Sequence, residues 1–183
     1  MEGGAIVCSD ERTKRRIDLL KNFGFTNETT VIESGINGKM NELQAAFGIL
    51  QLKYVDGYIE KRRAIVERYA AGLEGLGGIR LMPNIPGAEQ AYPYFPILID
   101  EEKFGRSRDY VYDELKKRDI LARRYFYPLI SQFPMYKGLD SARPENLPVA
   151  TRIAGQVLCL PIYPSLAASD VDRIVELIRG FKA

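Results

Sequence analysis

The stretch YPYFPILID, residues 92–100, followed by SRDYVYDELKKRD, residues 107–119, sets the fold class. The first is aromatic and β-branched and predicts a strand. Its internal Pro93 and Pro96 point to an edge position or a bulge, because proline cannot donate to a ladder. The second carries a helical pattern, with Ser107 placed to cap it. Working toward the C-terminus, ILARRYFYPLI (120–130) reads as another strand and SQFPMYKGLDSARPENLP (131–148) as a long irregular segment. Segments of that length inside a small domain are usually functional or mobile. VATRIAGQVL (149–158) predicts a short helix, CLPIYPSL (159–166) a strand end, and SDVDRIVELIRGFKA (169–183) a closing helix. Ser169 and Asp172 have capping-box spacing there, and Val171, Ile174, Val175, Ile178 and Phe181 form its apolar stripe. Strands alternating with helices make residues 78–183 a small α/β domain.

Working toward the N-terminus, GLGGIRLMPNIPG is a turn-rich connector. Before it one amphipathic pattern runs from Asn41 to about Leu76 through Leu43, Phe47, Leu50, Tyr54, Tyr58, Ile65, Tyr69, Leu73 and Leu76. A single helix of that length reaches roughly 50 Å and would link two bodies or lie in an oligomer interface. Gly57 is a point where it can bend, at a cost of about 1 kcal/mol relative to alanine. Asn41 and Gln44 have N-cap-to-N3 spacing and place its start. GGAIVCSD (3–10) reads as a short buried strand, followed by a charged helix, ERTKRRIDLLKNFG, that closes on Gly24 as a C′ residue. That strand has no obvious partner before about residue 92. Either it pairs with something distant in sequence, or the chain begins mid-domain and its partners lie upstream of Met1.

With 46% apolar and 27% charged residues in 183, the chain has the composition of an ordinary globular protein. A net charge of +2, with basic and acidic residues interleaved as in EKRRAIVER, gives no ground for nucleic-acid binding. The chain has no histidine, which excludes Ser-His-Asp and Cys-His catalysis and His-ligated metal within it. Cys8 and Cys159 lack C-x-x-C spacing and read as core thiols in a reducing cytoplasm. No apolar run approaches the roughly 20 residues of a membrane span.

Two constellations could carry chemistry. In GINGKMNELQAA, residues 35–46, Gly35 and Gly38 permit close backbone approach, Asn37 offers an amide donor and Lys39 a full charge. All lie in front of a helix whose first N–H groups are unpaired. This suits a phosphate, although an Asn-Gly turn before a helix is also ordinary. In ARRYFYPLISQFPMY, strand alternation puts Arg124 and Phe126 on one face and Tyr125 and Tyr127 on the other. An arginine fork with tyrosine hydroxyls suits a phosphorylated or polyhydroxylated ligand; equally, the tyrosines could be half-buried sheet residues. Tyr163 either lines a pocket or packs. The carboxylate-rich stretch from Asp100 to Glu114 reads as a solvated helix face.

The order of five segments, EGGAIVCSD, GINGKMNELQAAFGILQL, YFPILID, RRYFYPLISQFPMY and LCLPIYPSL, resembles the C-terminal portion of the DegT/DnrJ/EryC1/StrS sugar aminotransferases over essentially the whole chain. The RRYFYPL form is most similar to the branch acting on dTDP-linked keto-deoxyhexoses. The resemblance implies a homodimeric enzyme of the aspartate aminotransferase fold that uses pyridoxal 5'-phosphate. Its reaction would move an amino group from glutamate, the usual donor, to a nucleotide-linked keto sugar. It assigns residues 1–40 to a remnant of the large cofactor domain, 41–77 to a long linking helix and 78–183 to the small C-terminal α/β domain. Asn37 matches a family asparagine that holds the cofactor phosphate of the neighbouring subunit. Lys39 stands where arginine is usual, keeping the charge and losing the fork. Arg124, Tyr125 and Tyr127 fall where the family approaches the sugar, without the histidine common there. The family's Schiff-base lysine lies about ten residues before the EGG segment, and Lys14, Lys21 and Lys39 do not match its context. The expectation is a part of a nucleotide-sugar aminotransferase that does not transaminate alone and self-associates through its exposed apolar surface. The alternatives are a non-catalytic binding or self-association module, and an unrelated α/β domain.

Overall fold

The computed structural model describes residues 2–183. The chain folds as two compact units, Met1–Val55 and Asp56–Ala183.

In the first unit, α1 (Glu11–Leu20) begins at Asp10, whose carboxylate accepts from the Thr13 N–H at 2.8 Å. This bond holds the Asp10 carboxyl below the usual range. Residues 2–8 form no strand, and Ile6 and Val7 are exposed. The expected N-terminal strand is therefore absent from the described residues: an apolar run has no reason to extend without a neighbour to complete its ladder. Beyond α1 the chain turns back on the helix end through the bridges Asn22↔Asn37 and Phe25↔Val31. Gly24 is not the C′ residue, since the helix ends at the C-cap Lys21. Instead Gly24, at φ +81°, lets the returning strand of the loop pass so close that a Cβ would lie 1.7 Å from the Glu33 carbonyl oxygen. A Cβ on Gly35 would lie 2.6 Å from the Leu20 carbonyl oxygen. α2 (Glu42–Leu52) starts where expected, with the reciprocal Asn41–Gln44 capping box formed. Among the described residues of this unit only Gly24 is buried.

The single helix expected from Asn41 to Leu76 is two. α2 ends at Leu52 and α3 (Val55–Leu73) begins after Lys53–Tyr54, whose N–H groups bond three residues back, to Leu50 and Gln51. Tightening to that shorter ring ends the helix, and Gly57 lies inside α3.

The second unit is an antiparallel sheet of order β1-β2-β3, formed by Ile79–Leu81, Phe95–Ile99 and Val157–Leu160. Its helices are α3, the short α4 (Glu101–Phe104), α5 (Arg108–Lys116), α6 (Pro148–Gln156) and α7 (Ala168–Phe181). Ser107 caps α5 as expected, accepting from the Tyr110 N–H at 3.1 Å. The core joins Ile65, Tyr69 and Leu73 of α3 to Ile97 and Ile99 of β2, Val111 and Leu115 of α5, and the α7 stripe, all five members of which are buried. Each such side chain contributes about 1.5–3 kcal/mol of burial. Tyr69 stacks on Phe95 at 4.9 Å and donates to the Pro161 carbonyl at 3.1 Å.

Three sequence expectations change here. β2 is the central strand rather than an edge, although Pro96 lies within it. Cys159, opposite Pro96, exchanges both backbone bonds with Arg123 on its far side, so the missing N–H of Pro96 faces the β1 side. β1 ends at Leu81, opposite Ile97, so no bond is lost there. Residues 120–130 give one bridge, Arg123↔Cys159, and then a turn with Phe126 at φ +47°, not a strand. The capping box of α7 does not form. The helix begins after Ala167, and both oxygens of Asp172 are taken by Arg68.

Candidate functional site

The two constellations lie in different units and are built differently. In the first unit the Gly35–Lys39 loop is sewn to the end of α1: Ile36 N–H donates to Leu20 O at 2.8 Å, Phe23 N–H to Ile36 O at 3.1 Å and Gly38 N–H to Lys21 O at 2.9 Å. Asn37, Gly38 and Lys39 line a cavity of about 820 Å³, together with Lys14, Asp18 and Lys21. Asp18 neutralises two of the lysines. It pairs with Lys14 and, at 2.6 Å, with Lys21, and these bonds hold its carboxyl low while raising the Lys14 ammonium. Lys39 differs. Its ammonium donates to the neutral Asn22 amide oxygen and sits 5.5 Å from the centre of the Phe23 ring. Among the described residues no carboxylate lies within ion-pair distance of it. A neutral amide and a ring face leave the charge of Lys39 free to answer an anion. Cys8 lines the same cavity half-exposed, so it is not a core thiol.

In the second unit the RRYFY turn is pinned rather than extended. Arg123 exchanges both backbone bonds with Cys159, at 2.9 and 2.8 Å. Arg124 donates from Nε to Asp109 Oδ1 at 2.6 Å and lies 3.9 Å over the Tyr112 ring. Tyr125 meets Tyr94 edge-on at 4.9 Å and Phe126 at 4.3 Å. Tyr127, half-exposed, covers Arg108, whose guanidinium carbon is 4.7 Å from the ring centre. The alternation of faces expected for Arg124, Tyr125 and Tyr127 is replaced by a turn that sets Arg124 and Tyr127 against the start of α5, while Tyr125 packs on Tyr94.

Arg108 and Asp109 were not legible as partners of that turn, because their carboxylate-rich surroundings read as a solvated face. Arg108 is instead buried, 3% exposed. One signal was available: a cation in the first turn of a capped helix faces the positive end of the dipole and needs a specific partner. Tyr163, 48% exposed, lines a separate cavity of about 440 Å³ with Asp119, Pro161 and Arg173. Cys159 is buried, and burial pushes its thiol up to about 11, which suits an inert core residue. No group of three or more acidic or cysteine side chains among the described residues could hold a metal.

The profile of the DegT/DnrJ/EryC1/StrS aminotransferase family matches residues 1–179. The chain belongs to that family. It is 52% identical over 179 residues to an Escherichia coli dTDP-4-amino-4,6-dideoxy-D-glucose transaminase, covering 98% of this chain and 48% of the relative. A Shigella dysenteriae protein of the same name is 41% identical over 183 residues, 99% and 48% of the two chains. The crystal structure of S. venezuelae DesV superposes with a TM-score of 0.84 at 30% identity, over 95% of this chain and 45% of that one. The chain thus spans about half the length of the family members it matches, and its mixed α/β fold is theirs over that half. The resemblance to the branch acting on dTDP-linked deoxyhexoses holds. No helix of the described residues is long and apolar enough to cross a membrane.

Proposed function

We propose that this chain forms the phosphate-holding and sugar-facing part of a pyridoxal-phosphate-dependent aminotransferase that carries an amino group, with glutamate as donor, to a dTDP-linked keto-deoxysugar. The observation that carries the reading is Lys39. It is a cation without a carboxylate partner, beside Asn37, at one cavity and on a loop that Gly24 and Gly35 allow to lie against α1. That donor set fits a phosphate monoester: an ammonium supplies charge and an amide supplies a directed N–H. Lys39 meets the phosphate as a point charge, without the bidentate fork an arginine would bring.

Bound at such a site, pyridoxal phosphate supplies the electron sink that amino-group transfer requires. The residues of this chain hold and orient. Asn37 and Lys39 fix the phosphate end. Arg124, Tyr125 and Tyr127 flank the nucleotide-linked sugar, with Arg124 held at Nε by Asp109 and its outer nitrogens left for a ligand oxygen. The lysine that binds the cofactor covalently is not among residues 1–183. Of the lysines at the cavity, Lys14 and Lys21 are paired with Asp18 and Lys39 bonds Asn22, and none has the context of the family's covalent lysine. The chain therefore does not transaminate by itself, and the working protein is a homodimer in which the Asn37–Lys39 loop serves the neighbouring subunit. The family, its dTDP-sugar relatives and the exposed apolar side chains of α2, Leu43, Phe47 and Leu50 among them, support this reading.

Fluorescence titration with pyridoxal phosphate, followed by borohydride reduction and peptide mapping, tests it. The expected result is saturable, phosphate-competed binding that Lys39→Ala weakens, with no reduction-stable lysine adduct. A stoichiometric adduct at a single lysine overturns the claim that the covalent lysine lies elsewhere, and binding indifferent to Lys39 overturns the phosphate site.

A further inference from the structure

Arg108 is expensive where it stands. Its guanidinium is taken out of water, which is unfavourable unless its donors are met, and it opens a helix whose dipole repels it. Nη1 repays part of this by donating to Ala154 O at 3.0 Å and Val157 O at 3.1 Å, tying the head to the junction of α6 and β3. Nε has no hydrogen-bond partner. Asp109 Oδ1 lies 2.9 Å from it, close enough for charge attraction, but the N–H is not directed at that oxygen, which instead receives Arg124 Nε–H at 2.6 Å. The remaining exposed face of the assembly is Tyr127, lying over the guanidinium with its own outer face in solvent. A hydrophobic residue would fill the same space without the desolvation cost. What it would not do is hold a cation under one face of Tyr127 and a carboxylate beside Arg124.

We infer that Arg108 is a positioning residue for the sugar-facing turn, fixing Tyr127 directly by a cation–π contact and Arg124 through the shared carboxylate of Asp109. The guanidinium is immobile because two carbonyls hold it, so the ring above it is held in one plane. Asp109 transmits the same fixed reference to Arg124. The ligand class is the nucleotide-linked sugar proposed above, and the functional consequence rests on that reading; the placement of the turn does not.

Chains of residues 1–183 carrying Arg108→Gln, Arg108→Lys and Asp109→Asn are compared with the wild type by NMR and by calorimetric titration with dTDP. The readouts are the ring signals of Tyr127 and the solvent exchange of the Arg124 Nε–H that Asp109 accepts. Arg108→Gln is expected to move the Tyr127 ring signals toward those of a free tyrosine and to speed Arg124 Nε–H exchange about tenfold, the scale of a lost cation–π contact with a desolvated cation, while the α7 amides exchange unchanged. Arg108→Lys, which restores the cation under the ring, recovers most of both and most of a similar loss in dTDP affinity. Asp109→Asn speeds Arg124 Nε–H exchange and leaves the Tyr127 ring in place. Wild-type Tyr127 signals and Arg124 Nε–H exchange in Arg108→Gln overturn the inference, as does a uniform rise in amide exchange across α5, α6 and α7 or a lysine variant no better than glutamine. If Arg108→Gln does not fold, Asp109→Asn decides alone: unchanged Arg124 Nε–H exchange overturns the coupling. A wild-type chain that does not bind dTDP counts against the sugar-nucleotide reading, while the NMR comparison still decides the role of Arg108.

Discussion

Arg68 of α3 holds Asp172 of α7 with both arms, Nε to Oδ1 at 2.6 Å and Nη2 to Oδ2 at 2.5 Å. The pair replaces the expected helix cap by a tie between two helices 104 residues apart in sequence. The bond to Arg68 holds the Asp172 carboxyl below its ordinary value of 3.8. A carboxyl lowered by folding stabilises the folded state above its unfolded pKa, and that contribution disappears as pH falls through the folded value. Asp172→Asn should therefore lower the thermal midpoint at pH 7, and the difference from the wild type should vanish in acid below the aspartate range. Both side chains are about half exposed, so the effect is modest and shrinks in molar salt. A difference that persists at pH 2 would show that the substitution acts through packing rather than charge.

Tyr69 titrates in the opposite sense. Burial pushes its phenol far above 10, and the hydroxyl is satisfied by the Pro161 carbonyl. Above pH 10 the unfolded chain ionises this tyrosine and the folded one does not, so stability falls as pH rises past the ordinary phenol value. Tyr69→Phe should cost about 1 kcal/mol at neutral pH for the lost hydrogen bond, and should flatten the alkaline decline. Urea denaturation at pH 7 and pH 11 measures both. A variant that declines in alkali as steeply as the wild type would assign that decline to other tyrosines.

How much was legible follows from where each signal originates. The α7 stripe and the Ser107 and Asn41 caps are local patterns, and each is found where the spacing put it. Periodicity ran unbroken from Leu43 to Leu76, yet Ile65, Tyr69 and Leu73 are buried while Leu43, Phe47 and Leu50 are exposed. Side-chain spacing reports a face, and it carries no record of a backbone turn at Lys53–Tyr54. Pro96 misled because the side of the strand its nitrogen faces is decided by where β1 stops. Asp172 misled because a carboxylate with cap spacing was claimed by an arginine from another helix. Family resemblance pointed to Asn37, Lys39, Arg124, Tyr125 and Tyr127 as candidates, but not to the Arg108–Asp109 support, which only the tertiary structure brings beneath the turn.

Gly35→Ala tests whether the proposed phosphate loop depends on its close approach to α1. A methyl group there would lie 2.6 Å from Leu20 O and 2.7 Å from Gly24 N, both backbone atoms that cannot rotate away. Overpacking of this kind costs about 1–3 kcal/mol and is relieved by displacing the loop. The Ile36 and Gly38 amides should lose protection against exchange, and pyridoxal-phosphate binding should weaken with them. Binding that survives while those amides open would separate the anion site from the loop geometry.

Lys39 gives the sharpest separation of charge from shape. Lys39→Ala removes the ammonium that Asn22 and the Phe23 ring meet, and should weaken inorganic phosphate and pyridoxal phosphate alike by about tenfold, near 1.4 kcal/mol. Lys39→Arg restores the charge and adds the fork, so it should bind at least as tightly as the wild type, with a shallower loss in salt than an exposed point charge would show. Asn22→Ala frees the ammonium from its neutral partner without removing it, and should leave binding unchanged or tighter. If Lys39→Ala and Lys39→Arg both bind like the wild type, the anion is held by Lys14 and Lys21 displaced from Asp18, and the assignment moves to them.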